Sequence, residues 1–170
     1  MNDFASDEDF MAVMLGEFLD ESEGQLSRLN ENLLVLDELV SAVGNAEAAE
    51  PDREVLNEMF RDAHSLKGLS AMLGFEAINK LTHRIENVFD AARRDSLGIT
   101  RELTDLMFQA FDHLTTMVDN LKQSEGGQAD VDYEPLVEQL QQLIEKGGVA
   151  VQDDNPVTAE TVTGPDDAID

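Results

Sequence analysis

Apolar residues recur along this chain at steps of three and four, the period of an α-helix that buries one face. Phe10, Met14, Phe18, Leu26, Leu29, Leu33 and Leu36 trace the first such stripe and predict a long helix over about 8–42. Ser6 and Asp9 supply a capping signal before it. Residues 41–50, with Gly44 and Asn45, predict a connection. A second helix is expected to open at Pro51, a residue suited to a first turn. Its seam is Leu56, Met59, Ala63, Leu66, Ser70 and Leu73, and Gly74 marks its end. Ile78, Leu81, Ile85, Val88 and Ala92 predict a third helix over about 75–95, with Gly98 as its breaker. Thr100 opens a fourth that runs through Leu103, Met107, Ala110, Leu114, Met117 and Leu121. After a Gly-containing loop over 124–130, Leu136, Leu140 and Leu143 seam a shorter fifth helix over about 132–146.

No strand-like alternation or internal repeat competes with these stripes. The expected fold is all-α: an antiparallel up-and-down four-helix bundle with an additional C-terminal fifth helix. Residues 1–7 are expected to be an N-terminal extension and 8–146 the helical bundle. Residues 151–170 hold six acids, two prolines and no base, so 147–170 is expected to be an acidic disordered linker.

Composition narrows the function. With 170 residues the chain is long enough for one domain and a tail. Its 37 acidic and 11 basic residues give a net charge of −26, which argues against nucleic acid as a partner. The absence of cysteine removes disulfides, zinc thiolates and cysteine nucleophiles. No apolar run reaches the roughly 20 residues of a membrane span, and the acidic start is unlike a signal peptide. A cytoplasmic protein without direct membrane insertion is expected.

The charge is uneven. Residues 52–101 carry eight acids and eight bases, so the rest of the chain carries the whole −26. An anion is repelled least in this neutral block, although ordinary mixing of signs on helix surfaces accounts for the pattern as well. The block holds His64 and His83. His64 lies one position beyond the seam residue Ala63, Glu86 one beyond Ile85, and His83 two beyond Leu81, so each sits on a helix flank. If the second and third helices form a hairpin at Gly74, His64 comes level with His83, and Glu86 lies one turn further along. Lys67 and Gly68 follow His64 at three and four residues, on the same face. An exposed neutral imidazole is a nucleophile near neutral pH. A carboxylate on one ring nitrogen fixes the tautomer and raises the basicity of the other. This assigns His64 as the nucleophile and Glu86 as its orienter. Lys67 would offset the charge of an attached phosphoryl group, His83 would share the hydrogen-bond network, and Gly68 would leave room for a large partner. A solvated polar stripe fits the same spacing, and that alternative stays open on spacing alone.

The stretch from Phe60 to Asp90, FRDAHSLKGLSAMLGFEAINKLTHRIENVFD, goes beyond spacing. Its HSLKG, with Gly74–Phe75 after it, and its LTHRIEN at 81–87 resemble the histidine phosphotransfer (HPt) domain at the amino terminus of CheA-type chemotaxis kinases. The first helix, with EFLDESEGQLSRLNENLLVLD, is similar to the family's first helix, so the likeness spans about 8–146. The resemblance implies His64 as phosphoacceptor, with Lys67, His83 and Glu86 as its polar network and Gly68 as the small position of the motif. Leu69 departs from the small residue that many relatives have there, which alters the local surface. It further implies a CheA-type kinase domain, of the same or a partner protomer, as phosphoryl donor, and a CheY- or CheB-like receiver aspartate as acceptor. No cofactor is expected in this segment. ATP and Mg2+ are implied on the kinase and receiver, because no Gly-rich nucleotide loop is present. The chain would then be a carrier rather than a catalyst, cut from a longer histidine kinase. Three alternatives remain: a stand-alone phosphorelay protein, a non-catalytic helical interaction module, and a carboxylate-bridged metal bundle. The last needs Glu-x-x-His pairs, whereas Arg61, Lys80 and Ala110 stand three before the histidines.

Overall fold

The computed structural model describes residues 7–43, 49–124 and 131–147. Five helices occupy them: α1 (Asp7–Val43), α2 (Arg53–Met72), α3 (Glu76–Arg93), α4 (Arg101–Gln123) and α5 (Glu134–Lys146). Among the described residues there is no strand, only an isolated bridge between Ala49 and Ile99.

Cross-helix pairs give the register. Arg28–Asp62 and Gln25–Ser65 tie α1 to α2, His64–Glu86 ties α2 to α3, and Phe89–Phe111 ties α3 to α4. Lys122–Glu23 returns α4 to α1, and Lys146–Glu102 joins α5 to α4. Around the ring of four helices one number rises as the other falls, so successive helices run antiparallel; α5 instead runs parallel to α3, its start beside Lys80 and Arg84 and its end beside Leu97. The first four helices close a ring, α5 lies against α3 and α4, and the up-and-down bundle with a fifth helix stands as expected. The seams meet at its centre, where Leu29, Met59, Leu81, Ile85, Met107 and Phe111 are fully buried.

The connections follow local chemistry. Gly74 adopts φ +78, the left-handed conformation that glycine reaches without strain. Phe75 N–H then returns to Ser70 O at 2.9 Å and Gly74 N–H to Ala71 O at 3.2 Å, which seals α2 and reverses the chain into α3. Asp95, at φ 61, ends α3 in the same way, with Ser96 N–H on Ala91 O at 2.9 Å. The third helix therefore stops before the expected breaker, Gly98. The second helix also differs by a residue or two. Pro51 precedes it, and the Asp52 carboxylate caps it by accepting from Glu54 N–H at 3.0 Å. Thr100 caps α4 as expected.

The first stripe needs correction at its start. Phe10 is 60% exposed and Met14 only half-buried; burial begins at Phe18. At ~1.5 Å per residue, the 37 residues of α1 far outreach the 20 of α2. Phe18 packs its ring on Phe75, at the α2–α3 turn, with centroids 5.2 Å apart. The turns of α1 before Phe18 therefore project past the hairpin, where that hairpin offers no layer to bury Phe10. The Ser6 cap, the glycine loop at 125–130 and nearly all of the acidic stretch at 147–170 lie outside the described residues; Asp7 opens α1 and Gly147 caps α5.

Truncating a residue at the centre and one on the overhang should separate the two regions. Ile85→Ala is expected to cost about 2–5 kcal/mol of unfolding free energy, and Phe10→Ala less than about 0.5 kcal/mol. Urea denaturation followed by circular dichroism checks both, and equal costs would contradict the overhang.

Candidate functional site

The hairpin of α2 and α3 brings two flanks face to face. Ala63 and Ile85 point into the core, so the next residue on each helix is turned toward the groove between them. His64 Nδ1 and Glu86 Oε2 are hydrogen-bonded across that groove. Lys67, one turn after His64, places Nζ 2.7 Å from Glu86 Oε1. The side chains differ sharply in exposure, 63% for His64 and 8% for Glu86. A buried carboxylate is costly unless its oxygens are paired. Here each oxygen has a partner, one the imidazole and the other the ammonium.

The bond also decides the chemistry of the ring. A carboxylate only accepts, so Nδ1 carries the proton and donates it. Nε2 is left with its lone pair, on an imidazole that stands mostly in solvent. The negative charge behind the ring stabilises the cationic form that appears when Nε2 attacks an electrophile.

Neighbouring bonds hold α2 in place at this level. Asn79 Nδ2 of α3 donates to Lys67 O at 3.0 Å, and Ser70 Oγ donates to the same carbonyl at 2.9 Å. On the α1 side, buried Gln25 donates from Nε2 to Ser65 Oγ at 2.8 Å, beside His64. Gly68 is exposed, and a Cβ there would meet nothing within 4 Å. The bundle's own packing does not require glycine at that position, so what its missing side chain affects is the space around His64, one turn away. His83 lies one turn before Glu86 on α3 and is half-buried. It lines a depression of about 380 Å³ with Lys80, Arg84, Tyr133 and Glu138, between α3 and α5.

Of the residues assigned from sequence, His64, Glu86 and Lys67 are joined directly, Gly68 flanks them, and His83 lies between them and α5. Two further residues that sequence reasoning did not single out stand beside the histidine, one against its ring and one behind that neighbour. The Phe60 ring stacks beside the imidazole, with centroids 5.9 Å apart and planes 14° from parallel. The Arg93 guanidinium carbon lies 3.7 Å from the centre of the Phe60 ring. The four-residue step from Phe60 to His64 is a signal that a helix wheel carries; nothing local links Arg93 to either. His113, on α4, is half-buried and bonds Gln109 O of its own helix. Among the described residues no group of three or more His, Asp and Glu side chains is placed to hold a metal ion. No described helix is long and apolar enough to cross a membrane.

Comparison with known proteins agrees with this geometry. The family model for the Hpt domain matches residues 13–124, which takes in α2, α3 and the whole site. The chemotaxis protein CheA of Listeria monocytogenes is 37% identical over 131 residues, 77% of this chain. The chain spans only 19% of that relative's length. The CheA phosphotransferase domain from Thermotoga maritima shares 37% identity over 65% of this chain and 95% of its own, with a TM-score of 0.55. The phosphorylated P1 domain of CheA3 from R. sphaeroides, solved in complex with CheY6, has a TM-score of 0.66 over 79% of this chain and 98% of its own. At 22% identity that likeness concerns the fold alone. A family match to about two-thirds of the chain, centred on the exposed imidazole and its buried carboxylate, makes this protein a member of the Hpt domain family.

Proposed function

We propose that this chain is the phosphotransfer domain of a CheA-type chemotaxis kinase, acting in the cytoplasm as a phosphoryl carrier through His64. The observation that carries the proposal is the His64–Glu86 bond, which leaves Nε2 unprotonated and facing solvent. In the loading step the Nε2 lone pair attacks the γ-phosphorus of ATP held by the kinase domain. The Nε2–P bond forms, the bond from phosphorus to the bridging oxygen breaks, and ADP leaves. The proton stays on Nδ1, and Glu86 balances the imidazolium charge.

In the unloading step a receiver aspartate attacks the same phosphorus, the Nε2–P bond breaks, and its electrons return to Nε2. Nucleotide and Mg2+ belong to the kinase and receiver in this scheme, with no cofactor in the chain itself. A CheY- or CheB-like receiver is the acceptor it fits. The phosphorylated CheA3 domain crystallised with CheY6 is a precedent among proteins of this fold. Lys67, already next to Glu86, puts a cation one turn from the phosphoryl group. Gly68 keeps the approach to His64 open, and His83 completes the polar surroundings on α3.

Three variants test these roles. His64→Gln is expected to lose all labelling by a CheA-type kinase core and radiolabelled ATP. Its stability should stay within about 1 kcal/mol of wild type, because the side chain is exposed. The label on wild type should be acid-labile and base-stable, and a receiver should drain it; retained labelling of His64→Gln would refute the assignment. Glu86→Ala is expected to slow labelling by about tenfold or more while circular dichroism shows a folded bundle. A wild-type rate there removes the orienting role. Lys67→Ala is expected to slow labelling less than Glu86→Ala does, and the reverse order would make Lys67 the principal partner.

A further inference from the structure

Glu86 alone does not fix the imidazole. One hydrogen bond to Nδ1 fixes a point on the ring and leaves the ring free to rock about it. A side chain with most of its surface in water has few contacts to prevent that motion. The helix geometry supplies a second contact. Side chains on a helix lean back toward the preceding turn, so the imidazole of His64 tilts toward Phe60, where the two rings lie nearly parallel. Phe60 is half-buried, with its inner edge packed on the core.

Phe60 is itself held from α3. The Arg93 guanidinium covers its ring. Arg93 is tethered in turn, because its Nε donates to Asp90 Oδ1 at 3.0 Å. The other oxygen of Asp90 takes Arg94 at 3.1 Å. The backbone there is also pinned, since Arg53 of α2 donates to Arg93 O at 2.8 Å. His64 is therefore approached from both directions along the hairpin, by Lys67 and Glu86 on one side and by Phe60 under Arg93 on the other.

We propose that Phe60 and Arg93 are positioning residues for His64: Phe60 limits the swing of the imidazole and Arg93 holds Phe60 against it, so that Nε2 keeps one direction. The proposal rests on His64 being the phosphoacceptor. It adds that the nucleophile is aimed by a cation–aromatic–imidazole stack, which the polar network by itself does not provide. Arg93 acts through Phe60 and touches neither His64 nor the phosphoryl group.

The test uses the whole 170-residue chain and two readouts. The first is the rate of labelling by phosphoramidate, followed by phosphorus NMR. This small donor needs no docking surface: Nε2 attacks its phosphorus, the P–N bond breaks, and ammonia leaves with the proton. Phe60→Leu is expected to lower the rate about tenfold, a modest share of what misaligning a nucleophile costs. Phe60→Tyr should recover to within about twofold of wild type, because it keeps the ring. Arg93→Ala should lower the rate about threefold, and Phe60→Leu with Arg93→Ala should be no slower than Phe60→Leu alone. The second readout is nitrogen-15 NMR of the unphosphorylated imidazole, where wild type should show the Nδ1–H tautomer alone and Phe60→Leu a mixture.

A folded Phe60→Leu with the wild-type rate and tautomer overturns the proposal. So does an additive double variant, which would have Arg93 acting independently. Rate losses with the kinase but none with phosphoramidate would make Phe60 a docking contact and also overturn it. If Phe60→Leu unfolds, the Arg93→Ala substitution, at a half-buried position outside the core, still decides. A wild-type chain that takes no phosphoryl group from either donor sinks the carrier function itself, and the tautomer comparison then judges the stack separately.

Discussion

One buried carboxylate organises this molecule's chemistry. Glu86 is held at the edge of the core, where an unpaired charge would be costly. Its two oxygens are satisfied by Lys67 and by His64, both on the opposite helix. The interaction therefore serves two purposes. It ties α2 to α3, and it makes His64 donate from Nδ1, which leaves Nε2 as the reactive nitrogen. A carboxylate in open water would do neither, since solvent would compete for its oxygens and weaken its field.

That arrangement depends on the register of the hairpin. A left-handed Gly74 and the return of Phe75 N–H to Ser70 O fix where α3 starts relative to the end of α2. Asn79 then binds Lys67 O, which sets the level of the helices before Glu86 is reached. At the far end Arg53 spans to Arg93 O and to the Asp95 carboxylate. A slip of one residue would swing Glu86 about 100° around its helix axis, away from His64. The hairpin is also where charge is balanced in a chain that is otherwise strongly acidic. On the proposed function, the phosphoryl group would sit on the segment whose field opposes an added anion least.

The bundle around the hairpin is a rigid support more than a participant. α1 and α4 close the ring behind it, and α5 seals the outer side of α3 and α4 with Leu136, Leu140, Leu143 and Ile144. The family match ends at residue 124, before α5 begins. The start of α1 belongs to neither role, since it runs on past the hairpin turn with Phe10, Met11 and Val13 exposed.

The helices were legible because their periodicity is local: each seam repeats every three or four residues, whatever it packs against. The same holds for the Gly74 turn and the Thr100 cap, which depend on backbone chemistry within a few residues. The placement of His64, Lys67 and Glu86 on facing flanks followed from counting positions across one hairpin. What counting could not give was where burial stops. Phe10 satisfies the stripe as well as Phe18 does, yet only Phe18 has Phe75 opposite it. Nor did Arg93 announce itself, because its contact with Phe60 joins two helices through side-chain length and direction. Periodicity says which face of a helix is apolar. Which part of that face meets a partner, and which distant cation settles over which ring, is decided only when the helices take their lengths and crossings in space.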